Sequence, residues 1–227
     1  MSGFLVRLRL ILALWFTSVY AILLMLLIPL AAYVIYSSGF FTLEKWMSMV
    51  YEEAAPIWFI LILQWCLSVD FDSKFYLQVM TYPIARWKFL VERLLFSAVI
   101  FIGLLSAVAV SLSFYNGIFV WQSFLFVMPV YMAIAGLAAA GTVLGNHSGG
   151  GLLAGILFWL LFDFGGKLLG NYNVILLKYG SVYTFVKGET GFWAAENHWI
   201  LTNRLLYVLI GICFTGLAIY QLNRKTV

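Results

Sequence analysis

The sequence predicts an all-α integral membrane protein with about six transmembrane helices. Three observations carry that reading. Hydrophobic residues fill 64% of the 227 positions and charged residues only 10%, whereas a water-soluble fold covers its surface with roughly 25% charged residues. The mean hydropathy is +1.01. The apolar residues fall in long unbroken runs. In lipid only helices and closed barrels satisfy their own backbone hydrogen bonds. Barrel strands alternate apolar and polar at every second residue, and these runs do not, so the spans are helical.

A crossing takes about 20 apolar residues. The first is expected over 10–36, tilted or kinked at Pro29. Arg7 and Arg9 precede it as in a signal peptide, but a signal h-region is roughly 7–15 residues long and ends at an A-x-A-like site. This run is longer and has no such site, so it reads as a retained span. A polar loop with Glu44, Lys45, Glu52 and Glu53 follows. The second span, 54–69, is short, entered through Pro56 and closed by Asp70. The stretch 70–93 is the most charged of the chain. The third span is 94–115, and Asn116-Gly117 turns the chain into a fourth, 122–144, with Pro129 near its start. Gly145 to Gly151 read as a flexible connector. The fifth span is 149–166 if the glycines join it, and the sixth is 203–222. Between them, 163–204 is too long for a hairpin and too apolar for a plain loop. Its short runs Val174–Leu177 and Val182–Val186, with Trp193 and Trp199, suggest re-entrant or surface-lying helices.

With the N-terminus inside, Arg7, Arg9, Lys74, Arg86, Lys88, Arg93, Arg224 and Lys225 fall on the inner side, against Lys45, Lys167, Lys178, Lys187 and Arg204 outside. That bias predicts both termini in the cytoplasm. The net charge of +4 suits inner loops facing anionic lipid, and no basic cluster is dense enough for nucleic acid. Cys66 and Cys213 sit in apolar runs and read as small packing residues rather than a disulfide or metal site.

Candidate functional residues lie first in 70–93. Phe71, Phe75, Tyr76, Val79 and Met80 share one helical face, which suggests an amphipathic helix on the inner interface. Pro83 ends it and suits the first turn of the next helix, where Arg86, Lys88 and Arg93 gather. This is either a charged loop that fixes topology or a docking surface for a cytoplasmic partner. Gln64, deep in the second span, calls for a hydrogen bond to a neighbouring helix. Asp163 and Lys167, four apart, can pair on one face. Ala135, Gly136, Ala139, Ala140, Gly141 and Gly145 form a small-residue face for close packing, within the chain or between two copies. His147-Ser148 lacks the base and oxyanion donors of a serine protease. Glu52-Glu53 resembles the paired glutamates of intramembrane prenyl-protein proteases, but Ile57 stands where those carry arginine.

The order of short span, Asp70, amphipathic stretch, Tyr82-Pro83-Ile84-Ala85-Arg86-Trp87-Lys88-Phe89 and third span resembles permease subunits of type-2 ABC transporters, the family of drug, antibiotic and polysaccharide exporters. The resemblance covers nearly the whole chain and is specific over about 25 residues of it. It departs at Arg93, where the family often has lysine, and in the few residues before Leu10, where larger members carry an amphipathic helix. It implies that this segment is the coupling helix that contacts the ATPase, a role that falls by position on Asp70, Asp72, Lys74, Pro83, Arg86 and Lys88. It implies two cytoplasmic ABC ATPase subunits and a second permease, identical or homologous, as partners in a membrane, taken as the bacterial plasma membrane. ATP and Mg would bind the ATPase, with no cofactor, metal or catalytic residue on this chain.

Charge placement agrees with that implication. Proton- or sodium-driven carriers place Asp, Glu, His or Lys inside their spans, and spans one, three and four contain no charged residue. The sequence holds no G-x-x-x-x-G-K-[ST] phosphate loop, so a pump of this kind borrows its ATPase. The expectation is the transmembrane subunit of an ABC exporter, with cargo of amphipathic chemistry such as an antimicrobial peptide, a drug or a lipid-like molecule. The alternatives are a non-transporting membrane sensor or assembly partner and an intramembrane protease.

Overall fold

The computed structural model describes residues 3–37, 39, 42–74, 86–165 and 169–224, and among these it is helical with no strand. The main helices are α1 (Gly3–Thr17), α2 (Val19–Ser37), α3 (Leu43–Ser48), α4 (Ala55–Phe71), α5 (Arg86–Asn116), α6 (Phe119–Gly145), α7 (Ser148–Phe164), α8 (Gly180–Lys187) and α9 (His198–Arg224). A π-helical turn, Met49–Ala54, joins α3 to α4. Among the described residues four stretches are long and apolar enough to cross a membrane: Leu43–Phe71, Arg86–Ser113, Phe119–Gly145 and Ala195–Arg224. Ser148–Phe164 is apolar and shorter.

The first apolar run breaks at Ser18 and continues as a helix through Pro29, so the expected kink is displaced by eleven residues. The Thr17 hydroxyl donates to the carbonyls of Ala13 and Leu14 at 3.0 and 3.1 Å, which competes with the helical ladder at that point. The expected polar loop before the second span is also helix. Glu44, Lys45, Glu52 and Glu53 all lie in the continuous stretch 43–71, because glutamate and lysine are good helix formers and the inward-facing Glu52 finds a counter-charge. The expected flexible connector at 145–151 is a tight turn: α6 ends at Gly145, Asn146 takes the left-handed conformation at φ 53°, and α7 starts at Ser148. Asn tolerates that region better than most residues.

Helix α6 is the hub, packing most extensively on α9 and α7. The small-residue face found in the sequence serves these contacts within the chain. A Cβ added at Gly211 of α9 would lie 2.6 Å from the Met132 carbonyl oxygen of α6, and one added at Gly141 would lie 2.9 Å from the Ala154 Cβ of α7. Small residues let helix backbones approach, and dispersion then holds them together where lipid offers no hydrophobic drive. On the opposite flank α4, α5 and α6 share an aromatic cluster. Phe101 stands 4.5 Å from Phe59 and 4.8 Å from Tyr131, ring centre to ring centre. Large apolar side chains point outward along α7 and α9, among them Leu153, Leu157, Leu205, Leu209 and Ile212.

Of the interval between α7 and α9, two short 3-10 turns (Gly170–Tyr172 and Ala195–Asn197) and α8 are described. Helix α8 buries Val182 and Val186 and sets Tyr183 4.8 Å from Phe119 at the start of α6. The run Val174–Leu177, expected to form a short helix, has no regular structure and is nonetheless buried.

Candidate functional site

Charge collects at one end of the bundle, around the first two turns of α5. Arg7 of α1 makes a two-pronged bond to Glu92, at 3.0 and 2.7 Å. Arg93 pairs with the carboxylate of Asp70, which is 1% exposed at the end of α4, and one of its nitrogens donates to Oδ1 at 2.9 Å. Arg86 donates to the carbonyls of Leu222 and Asn223 at 3.5 and 3.3 Å. The last carbonyls of a helix have no partner within it and carry partial negative charge, so Arg86 caps α9. Helix α5 thus holds α1, α4 and α9 together through three arginine contacts.

A second network ties α4 to α7 at the same end. Asp72 accepts from the Ser148 backbone N–H at 2.7 Å and from its hydroxyl at 2.6 Å. Gln64 donates to the Ser148 hydroxyl oxygen at 3.3 Å, which fulfils the expected inter-helix bond. His147 caps α7, its Nδ1 accepting from the Gly149 N–H at 2.9 Å. The Ser148 proton therefore goes to Asp72 and not to His147.

The six residues assigned to coupling by resemblance divide accordingly. Asp70 is buried against Arg93. Asp72 is engaged with α7 and Arg86 with α9. Lys74 is exposed in the left-handed conformation at φ 58°, just past the end of α4. Lys88 is exposed, 5.8 Å from the Trp87 ring centre. Pro83 and the expected amphipathic helix lie outside the described residues, as does Lys167, the expected partner of Asp163.

A third constellation lies toward the other end of the bundle. Glu52, 1% exposed, presents Oε1 to Arg204 of α9 at 2.8 Å. Its Oε2 accepts from the backbone N–H groups of Leu176 and Leu177, at 2.9 and 2.8 Å, and from the Ser48 hydroxyl at 3.0 Å. Arg204 also donates to the Val174 carbonyl at 3.2 Å and lies 4.0 Å from the Phe126 ring centre. A charge removed from water needs a counter-charge and filled hydrogen-bond positions; the two residues supply each other's counter-charge and Glu52 is well bonded, while Arg204 Nε is buried with no partner. The sequence reading assigned both residues to outer loops. Lying 152 positions apart, they share no local spacing that would pair them. The only signal was two opposite charges flanking apolar runs.

The π-helical turn aims Glu52 into that pair. Proline lacks an N–H, and its ring presses on the carbonyl four residues before it. For Pro56 that carbonyl belongs to Glu52, and widening the turn relieves the clash. In a π register the Tyr51 carbonyl would bond residue 56, which has no hydrogen to give. The Tyr131 hydroxyl donates to it at 2.6 Å instead, and Trp159 Nε1 donates to the Glu53 carbonyl at 2.9 Å. At the end of α8 the exposed Lys187 bonds Glu189 at 2.6 Å, and that hydrogen bond raises its pKa above the ordinary lysine value.

Both cysteines are free, Cys66 buried and Cys213 exposed. Among the described residues no group of three His, Cys, Asp or Glu is placed to hold a metal ion. Together these features define an all-helical membrane protein with one end cross-braced by arginines and a buried ion pair toward the other. No family model, curated protein or solved structure matches the chain.

Proposed function

We propose that this chain is the transmembrane subunit of an ATP-driven exporter and that residues 70–93 take the push of a separate cytoplasmic ATPase. The observation that carries the reading is the bracing around α5. A partner that engages the connection between α4 and α5 would act at once on α4 through Asp70–Arg93, on α9 through Arg86 and on α1 through Glu92. A segment meant only to fix topology needs positive charge and no such linkage. The Tyr82–Phe89 resemblance supports the same assignment.

In this reading the chain crosses the membrane six times. Helices α1 and α2 together make the first crossing, 43–71 the second, and α5, α6, α7 and α9 the rest. Both termini, the Asp72–Ser148 contact and the arginine braces then lie on the cytoplasmic side, in accord with the positive-inside bias. Two such chains, identical or homologous, frame the substrate path, and the cargo is an amphipathic or lipid-like molecule.

The test is a mild-detergent pull-down of the tagged chain, assayed for co-purifying ATPase activity. A soluble subunit with a phosphate loop whose hydrolysis responds to this chain supports the proposal. A chain that purifies alone under several conditions overturns it in favour of a membrane sensor or assembly partner.

A further inference from the structure

Residues 173–177 form a strap with no helical ladder of its own. Its backbone polar groups are held by three side chains from flanking helices. Glu52 takes the Leu176 and Leu177 N–H groups. Arg204 takes the Val174 carbonyl. Asn203 donates to the Asn171 and Asn173 carbonyls at 2.7 and 2.9 Å. Buried backbone groups must find partners, and four of the strap's find them on Glu52 or on two consecutive residues of α9, while the Ile175 N–H donates to the Asn173 side chain at 3.1 Å. Gly170, at φ 50°, and Gly180 bracket the strap. Only glycine takes that positive φ without steric cost, so the chain can swing there more freely than within a helix.

Against the strap lies a narrow cleft between α4, α6 and α7, with room for about one water as it stands. Pro56, Val130, Ile134, Phe158 and Phe162 line it, with Asp163 also on its lining. Val174 and Ile175 complete its wall, beside Glu52. Strap side chains thus form part of the cleft's wall, and the strap is held by the Glu52–Arg204 pair together with Asn203.

We propose that residues 173–177 are a lid over this cleft and that the Glu52–Arg204 pair is its latch. Glu52 and Arg204 together hold three of the strap's backbone bonds, so parting the pair loosens the lid as a unit rather than by fraying. Lifting it exposes an apolar, aromatic-walled space with a carboxylate on its lining, suited to the apolar end of an amphiphile. Pro56 and Tyr131 fix the register of the π turn and so hold the latch in aim.

The test reads lid opening directly and needs neither an ATPase nor a known cargo, so it succeeds or fails independently of the exporter reading. In a chain carrying Cys66→Ala and Cys213→Ser, Ile175→Cys places a buried thiol on the cleft side of the lid itself. Its reaction with a polar maleimide is timed in lipid nanodiscs. Ala109→Cys, in the core of α5, reports general loosening. Adding Glu52→Gln is expected to speed labelling at position 175 by about tenfold or more while position 109 stays protected. Exchanging the charges, Glu52→Arg with Arg204→Glu, is expected to restore most of the protection. If Glu52→Gln does not fold, Asn203→Ala removes one strap bond and the adjoining bond to Asn171 and keeps the pair, and a smaller rise confined to position 175 is expected. Unchanged labelling at 175 in the folded variants, or an equal rise at 109, overturns the proposal.

Discussion

Gly211 of α9 lies against the backbone of Met132 in α6, so close that a single methyl group on Gly211 would sit 2.6 Å from the Met132 carbonyl oxygen. The obstacle is backbone, which cannot turn aside as a side chain can. Gly211→Ala is therefore expected to push the two helices apart, at a cost of about 1–3 kcal/mol. Gly216→Ala on the same helix meets nothing within 4 Å and is expected to leave stability unchanged. Thermal unfolding of both variants in one detergent checks the pair. Equal midpoints would refute the close packing.

Asp70 and Arg93 form a pair that is costly to break and cheap to replace. Arg93→Met leaves a buried carboxylate without its counter-charge and is expected to destabilise the chain by about 3–5 kcal/mol. Asp70→Leu in the same chain removes the orphan and is expected to recover more than half of that loss. A double-mutant cycle on unfolding midpoints measures the coupling. Simple additivity would mean that the two side chains do not depend on each other.

At the start of α7 the chemistry is that of a helix cap. Ser148→Ala takes a hydroxyl from Asp72 and Gln64 and is expected to cost about 1–2 kcal/mol. His147→Asn keeps a side-chain acceptor for the Gly149 N–H, and asparagine is among the best cap residues, so no loss is expected. His147→Ala is expected to cost about 0.5–2 kcal/mol. If asparagine and alanine behave alike, the histidine is not acting as a cap.

Arg86 and Lys88 separate two effects that a charge count merges. Lys88 is exposed and belongs to no brace, so Lys88→Glu is expected to weaken ATPase association while leaving the unfolding midpoint in place. Arg86→Glu sets a negative charge at the C-terminus of α9, where the helix dipole is already negative, and is expected to lower the midpoint as well. Intact association with Lys88→Glu would remove this residue from the proposed docking surface.

The sequence made legible whatever depends on solvent or on local spacing. The apolar runs place the long helices, and Asn146 with its glycine neighbours marks the turn between α6 and α7. The small-residue face of α6 was visible too, but its partner was not, because Gly211 shows only as one glycine among many in an apolar run. The ends of the helices were misplaced wherever charge was taken for a loop signal. Glu52 and the residues around it are helical because their counter-charge comes from Arg204, far along the chain. The same distance hid the buried pair and the strap it holds. Residues 174–177 read as apolar and helical, but their backbone bonds go to side chains, and no local pattern records that choice.

The separation of Glu52 from Arg204 also has a consequence for how the protein is made. At a synthesis rate of roughly 5–20 residues per second, the 152 residues between them take about 8–30 s to emerge. Throughout that interval the newly inserted hairpin of α4 and α5 carries a carboxylate whose counter-ion does not yet exist. Biogenesis must shelter that half-made hairpin, by water, by the insertion machinery or by a chaperone, until the last helix arrives. A chain cut short before α9 is left with Glu52 lacking the arginine that pairs with it in the finished protein.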